Sequence, residues 1–86
     1  MSQNTQQQRI EDLKSYRDGW KDAEQRAVAE RQRLADLKAM GVRVEDTQGN
    51  DILQKQMEAQ DVMAREAQKA VIRVEAALGQ AEADAH

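Results

Sequence analysis

The sequence predicts an all-α protein: an antiparallel, coiled-coil-like hairpin of two helices, assembled into a dimeric four-helix bundle. Three observations support this prediction. Apolar residues follow a 3–4 spacing in each half of the chain, a glycine-marked segment separates the halves, and the 86 residues include no proline. A 3–4 spacing places apolar side chains along one narrow stripe of a helix. We therefore expect a single helical domain over residues 1–86.

The first helix is expected over residues 5–40, after a polar lead. Thr5 and Gln8 have the spacing of a capping box. Gly41 stands where a left-handed cap would end the helix, and Val42 could make the accompanying apolar contact. The predicted stripe of this helix consists of Leu13, Tyr16, Trp20, Ala23, Ala27, Glu30, Leu34 and Leu37.

The pair Asp18-Gly19 interrupts the helical pattern, because glycine costs about 1 kcal/mol relative to alanine inside a helix. Two accounts are open. Gly19 marks a kink with Asp18 capping the following segment, or it lets another backbone approach closely beside Trp20. We favour a continuous helix with a local irregularity.

A loop over residues 41–51 is expected to connect the helices. Asn50 or Asp51 is a suitable N-cap, and Gln54 lies three residues after Asp51. The second helix is expected over residues 52–81, followed by a frayed acidic tail over residues 82–86. Its predicted stripe consists of Leu53, Met57, Gln60, Ala64, Ala67, Val71, Val74, Leu78 and Ala81.

Folding the chain back near Thr47 brings the two stripes together. The expected pairs are Leu13–Ala81, Tyr16–Leu78, Trp20–Val74, Ala27–Ala67 and Leu37–Met57, flanked by Arg17–Glu75, Glu24–Gln68, Arg31–Asp61 and Lys38–Gln54. The predicted core consists of Leu13, Tyr16, Trp20, Leu34, Leu37, Leu53, Met57, Val71, Val74 and Leu78.

The centre of this stripe is thin, because alanine buries far less apolar area than leucine or valine. A lone two-helix hairpin of this kind is marginal. We therefore expect the chain to associate with itself, and to hold an unidentified protein on the apolar face of helix two. The predicted partner-binding residues are Met40, Val62, Met63, Ala70 and Ile72.

Catalysis and cofactor binding find little support in the sequence. The chain has no cysteine, and its one histidine is the last residue, His86. The acids of the loop do not match the spacing of a calcium loop. We therefore expect no enzymatic activity, no cofactor and no metal site.

Charge and hydropathy patterns also bound the function. The isoelectric point is about 5.1 and basic residues alternate with acids, so nucleic-acid binding is not expected. No apolar run approaches the length of a membrane span, and the polar N-terminus does not match a secretory signal. We expect a cytoplasmic protein.

The most concrete functional expectation is a small adaptor, inhibitor or chaperone. Two alternatives are open: a self-assembling structural subunit with contacts through Ile10, Val28 and Ile72, or a transcription regulator acting through Glu45 and Asp46 at the hairpin tip. In architecture, the last resembles factors that reach into the secondary channel of RNA polymerase. In size and shape the hairpin also resembles secretion-system chaperones and needle subunits, although the needle subunits' proline-containing turn is missing.

Overall fold

The protein is a single antiparallel hairpin of two long helices. A computed structural model describes residues 2–85, with side chains described from residue 5 onwards. Helix α1 spans Ser2–Ala39 and α2 spans Leu53–Asp84, and they pack against each other along their length. The molecule measures 61 × 22 × 14 Å, so it is one helix thick. The predicted all-α hairpin is confirmed.

Helix α1 is continuous. It begins at Ser2, before the expected start at Thr5, and it passes through Asp18 and Gly19 without a break. Asp18 does not cap a new segment, because its carboxylate accepts a hydrogen bond from Nε of Arg17 at 3.2 Å. The expected continuity is therefore correct, and the expected irregularity is not seen.

Gly41 ends α1 in the left-handed conformation that the sequence predicts. Its φ is +79°. The Gly41 amide donates to the Lys38 carbonyl at 3.0 Å, and the Val42 amide donates to the Leu37 carbonyl at 3.0 Å. These two bonds form a Schellman motif, which satisfies carbonyl groups that the helix end would leave without partners.

The loop is organised by Asp46. Its Oδ1 accepts hydrogen bonds from the backbone amides of Gln48 at 2.8 Å and Asn50 at 2.9 Å. The Asp46 amide in turn donates to the Asn50 carbonyl at 2.9 Å, beside an isolated antiparallel bridge between Glu45 and Asp51. The tip is therefore a hydrogen-bonded turn.

Helix α2 begins with a side-chain hydrogen bond from the residue before its N-cap. The N-cap position itself belongs to Ile52, whose side chain cannot accept such a bond. Instead, Oδ1 of Asp51 accepts from the Leu53 amide at 3.0 Å. The Ile52 amide donates to the Val44 carbonyl at 2.8 Å, which ties the start of α2 to the loop.

The end of α2 is more regular than the sequence suggests, because the helix continues to Asp84. The helix therefore ends three residues later than the expected Ala81. The buried Ala81 holds this end against α1, and Gln80 bonds to Asp84 across one turn. His86 lies outside the described residues.

The core consists of two separate apolar clusters at opposite ends of the hairpin. One cluster contains Ile10, Leu78 and Ala81, with Leu13 packed against it. The other, next to the loop, contains Leu34, Leu53 and Met57, with Ala35 and Val44 packed against it. Between the clusters the buried residues are small or medium-sized: Ala27, Ala67, Ala70 and Val71.

Two flanking pairs match the predicted register. Arg31 Nε donates to Asp61 at 3.1 Å, and Lys38 Nζ donates to Gln54 at 2.9 Å. Glu75, expected to face Arg17, lies instead 3.5 Å from Lys21 Nζ.

Among the described residues, no helix is both long enough and apolar enough to cross a membrane.

The prediction that Tyr16 and Trp20 belong to the core is wrong. Tyr16 is 66% exposed and Trp20 is 42% exposed. Instead, α1 turns the side that carries Ile10 toward α2, and Ile10 is buried against Leu78 and Ala81. With this side of α1 turned toward α2, the rings of Tyr16 and Trp20 lie beside the helix–helix contact rather than inside it. Ile10 is therefore unavailable for the outward contacts expected of a structural subunit.

Candidate interaction surface

The exposed aromatic residues lie in a shallow groove along α1, formed by three adjoining depressions that share lining residues. Its central part is lined by Asp12, Ser15, Tyr16, Gly19, Trp20 and Ala23. Toward the start of α1 it continues past Arg9 and Leu13. Toward the loop it continues past Arg26 and Glu30 and reaches Gln60 and Met63 on α2. We call this surface the aromatic groove.

Gly19 lies in the floor of the aromatic groove, where the lack of a side chain leaves open space. Apart from its chain neighbours and the backbone of its own helical turn, a Cβ atom built on Gly19 would meet nothing within 4 Å. The glycine is therefore not required by packing within the hairpin, although it costs the exposed helix about 1 kcal/mol relative to alanine. A helix surface without a side chain allows close approach by another backbone.

Two charged residues at the loop end of the groove, Arg26 and Glu30, form ion pairs within α1. Arg26 Nη2 lies 2.8 Å from the carboxylate of Asp22, and the Arg26 side chain is 80% exposed. Arg33 Nε donates to Glu30 at 3.0 Å. This hydrogen bond, together with the positive charge of Arg33, lowers the pKa of Glu30 and raises the pKa of Arg33. Glu30 therefore stays ionised, as a surface anion.

The predicted partner-binding residues do not form one surface. Met40, Val62, Met63 and Ile72 are exposed, whereas Ala70 is buried between the helices at 6% exposure. Met63 and Ile72 are nine residues apart, which places them on opposite sides of α2 at about 100° per residue. Of the five residues, the aromatic groove includes only Met63. The assignment of Ala70 to an outer face is therefore wrong.

The predicted core residues fall into three groups. Leu34, Leu53, Met57, Val71 and Leu78 are buried; Leu13, Leu37 and Val74 are partly buried; Tyr16 and Trp20 are exposed. The two aromatic residues therefore belong to the candidate site and not, as expected, to the core.

The acids of the loop serve the turn. The hydrogen bonds from the amides of Asn50 and Gln48 lower the pKa of Asp46. Asp51 bonds to the first turn of α2, and Glu45 lies 3.7 Å from Nε of Arg43. Within residues 2–85, no three acidic, histidine or cysteine side chains come together as a possible metal site.

A second 3–4 spacing in α1 could have revealed the groove from the sequence. It shares Tyr16, Ala23 and Glu30 with the predicted stripe and adds Arg9, Asp12, Gly19 and Arg26. Its charged ends and central glycine make it less apolar than the stripe that we predicted to be the core.

Compared with models of protein families, with curated proteins and with solved structures, the chain matches none of them.

Proposed function

We propose that the chain is a non-enzymatic protein–protein interaction module, acting as a small adaptor, inhibitor or chaperone, and that its contact surface is the aromatic groove. The observation that carries the proposal is the exposure of Tyr16 and Trp20, the only two aromatic residues of the chain. We expected the contact surface on the outer face of α2. The proposed surface lies instead on the side of the hairpin where Met63 is beside α1.

The side chains of the groove are of the types that contribute most at protein interfaces. Tyrosine and tryptophan are enriched there because they bury a large area and lose little conformational freedom. Methionine adapts its shape to a partner. The groove also has charged residues at its margin, including Asp12 and Arg26, as expected for an apolar interface centre with a polar rim.

The thin core supports the same proposal. The chain exposes 6517 Å² of accessible surface. A compact monomer of 9.7 kDa is expected to expose about 5,100 Å², or about 1,400 Å² less. A standard interface buries about 800 Å² on each partner, so the hairpin has enough surplus surface for one.

The alternatives receive less support. A structural subunit assembled through Ile10, Val28 and Ile72 loses one of its three contacts, because Ile10 is buried. A regulator acting through Glu45 and Asp46 needs free carboxylates at the tip, whereas Asp46 accepts two backbone hydrogen bonds that shape the turn.

Site-specific photo-crosslinking in cells tests the proposal. A benzophenone amino acid replaces Tyr16 in the groove or, as a matched control, Lys14 on another side of α1. We expect protein adducts from position 16 and not from position 14. Met63→Glu should remove the adducts, because it places a charge in the groove, whereas the exposed change Lys55→Ala should not. Equal labelling from both positions, or adducts unaffected by Met63→Glu, would contradict the proposal.

A further inference from the structure

The exposed stripe of α1 is complementary to itself when reversed. In chain order it contains a base, an acid, an aromatic residue, a glycine, a small residue, a base and an acid: Arg9, Asp12, Tyr16, Gly19, Ala23, Arg26 and Glu30. If the same series is placed beside it in the opposite direction with Gly19 next to Gly19, each charged residue lies opposite a residue of opposite charge. Tyr16 then lies opposite Ala23. All seven residues line the aromatic groove.

We propose that the occupant of the aromatic groove is a second copy of this chain, docked through α1 in antiparallel orientation about a twofold axis near Gly19. This inference rests on the proposed function and names the partner of the same site. Twofold symmetry is the commonest form of homo-oligomer, and it requires a self-complementary patch. Asp12 then faces Arg26 of the second copy, and Arg9 faces Glu30 of the second copy.

The centre of the interface is built from groups that the hairpin does not use. Gly19 meets Gly19 of the second copy, where the open space above each glycine lets the two backbones approach. On both sides of this point the ring of Tyr16 covers Ala23 of the second copy, and Met63 closes the edge of the groove from α2. The arrangement explains why a glycine stands in an exposed and otherwise regular helix.

The charged pairs fix the orientation of the two copies. In parallel orientation with Gly19 beside Gly19, Arg26 would face Arg26 and Asp12 would face Asp12, and like charges would repel. In antiparallel orientation each pair is attractive and occurs twice. The stripe from Arg9 to Glu30 extends about 32 Å along α1, long enough for a standard interface.

Charge reversal on one chain at a time tests the pairing. Asp12→Arg and Arg26→Glu each turn two attractive pairs of the homodimer into two repulsive ones. We therefore expect each variant alone to dimerise at least about tenfold more weakly than the wild type, as measured by sedimentation equilibrium. Lys14→Glu, on another side of α1, is the control and should leave the dimer unchanged.

Mixing the two variants gives the decisive result. In the heterodimer the arginine introduced at position 12 of one chain faces the glutamate introduced at position 26 of the other. The unchanged Arg26 of the first chain faces the unchanged Asp12 of the second, so both pairs are attractive. The equimolar mixture should therefore associate at least as tightly as the wild type. Because Trp20 is the only tryptophan, its fluorescence should shift to shorter wavelength on association and report the same interface.

The glycine supplies an independent test. Gly19→Ala should raise the helicity of the monomer but weaken the dimer, because the added methyl group separates the backbones at the axis. Gly79→Ala also adds a methyl group in open space on a helix, and it should raise helicity without weakening the dimer.

Each outcome decides between the two proposals. A wild-type chain that stays monomeric, or a mixture no tighter than its components, would overturn the second-copy assignment. If position 16 still crosslinks to a different protein, the interaction function stands with another partner. If position 16 gives no adduct to any protein and the chain is monomeric, both proposals fail.

Discussion

At the residue scale, Asp46 shows how one side chain can define a loop. Its carboxylate accepts hydrogen bonds from the backbone amides of Gln48 and Asn50, so these amides need no carbonyl partner. Gly49 adopts a φ of +83° within the same turn, a conformation that costs other residues energy. Together they let the chain reverse between α1 and α2 in a short segment.

The lowered pKa of Asp46 predicts how the tip responds to acid. A group whose pKa is lower in the folded state contributes stability above its unfolded pKa, about 3.9 for aspartate, and loses it as the pH falls through the folded value. Asp46→Asn keeps the acceptor oxygen but carries no charge. We expect it to be less stable than the wild type in chemical denaturation at neutral pH.

The difference between wild type and Asp46→Asn should shrink as the pH falls below about 4, because protonation then removes the charge from the wild type as well. Asp84→Asn, near the end of α2, is a matched control that should show little difference at either pH. A wild-type advantage that persists unchanged in acid would mean that the charge of Asp46 does not stabilise the loop.

At the element scale, the rotation of α1 about its own axis is the main departure from expectation. The central stripe, which includes Leu13, Trp20, Ala27 and Leu34, has apolar neighbours on one side and mostly charged neighbours on the other. The central stripe keeps a 3–4 spacing with the neighbours on either side, and the sequence favours pairing it with the apolar neighbours. In the structure Leu13, Ala27 and Leu34 contact α2 together with the charged side, while Trp20 remains exposed. Long side chains such as Arg31 can lie along the edge and reach Asp61.

Replacing Ile10 distinguishes the two orientations of α1. Because Ile10 is buried with Leu78 and Ala81, Ile10→Ala should lower the free energy of unfolding by about 2–5 kcal/mol. Ile72→Ala, at a side chain that is 60% exposed, should change it by about 0.5 kcal/mol or less. Thermal or urea denaturation followed by circular dichroism measures both. Equal losses would mean that Ile10 is not part of the core.

At the scale of the whole molecule, the two clusters leave the centre of the hairpin weakly held. Stability that depends on a second copy must rise with protein concentration, by mass action. We expect the midpoint of thermal unfolding to increase over a dilution series of the wild type and of Lys55→Ala. It should become independent of concentration in Met63→Glu. A wild-type midpoint that is the same at all concentrations would contradict self-association.

The two-helix hairpin could be predicted from the sequence, whereas the stripe that forms the candidate site was visible in the sequence but could not be recognised as the exposed one. The heptad spacing and Gly41 act locally, so their consequences for the helices can be derived from a single chain. The predicted N-cap at Asn50 or Asp51 is wrong by one or two residues, because the cap position belongs to Ile52.

The exposure of Tyr16 depends on which side of α1 faces α2, and that side is selected by contacts such as Ile10 with Leu78 and Ala81, which are far apart in the sequence. Periodicity identifies which residues share a stripe, but it does not decide which of two adjacent stripes faces the other helix.

The ordered tip of the hairpin also has a consequence for the order in which the protein folds. Lys38 and Gln54 are 16 residues apart and Arg31 and Asp61 are 30 apart, whereas Ile10 and Leu78 come from nearly opposite ends of the chain. Closing a loop costs about 0.6 kcal/mol more with each doubling of its length. We therefore expect contacts beside the loop to form first and the helices to pair progressively from the tip toward Ile10. A nucleus at the turn would cost little conformational entropy, so we expect folding to be fast even though the contact between the helices is long.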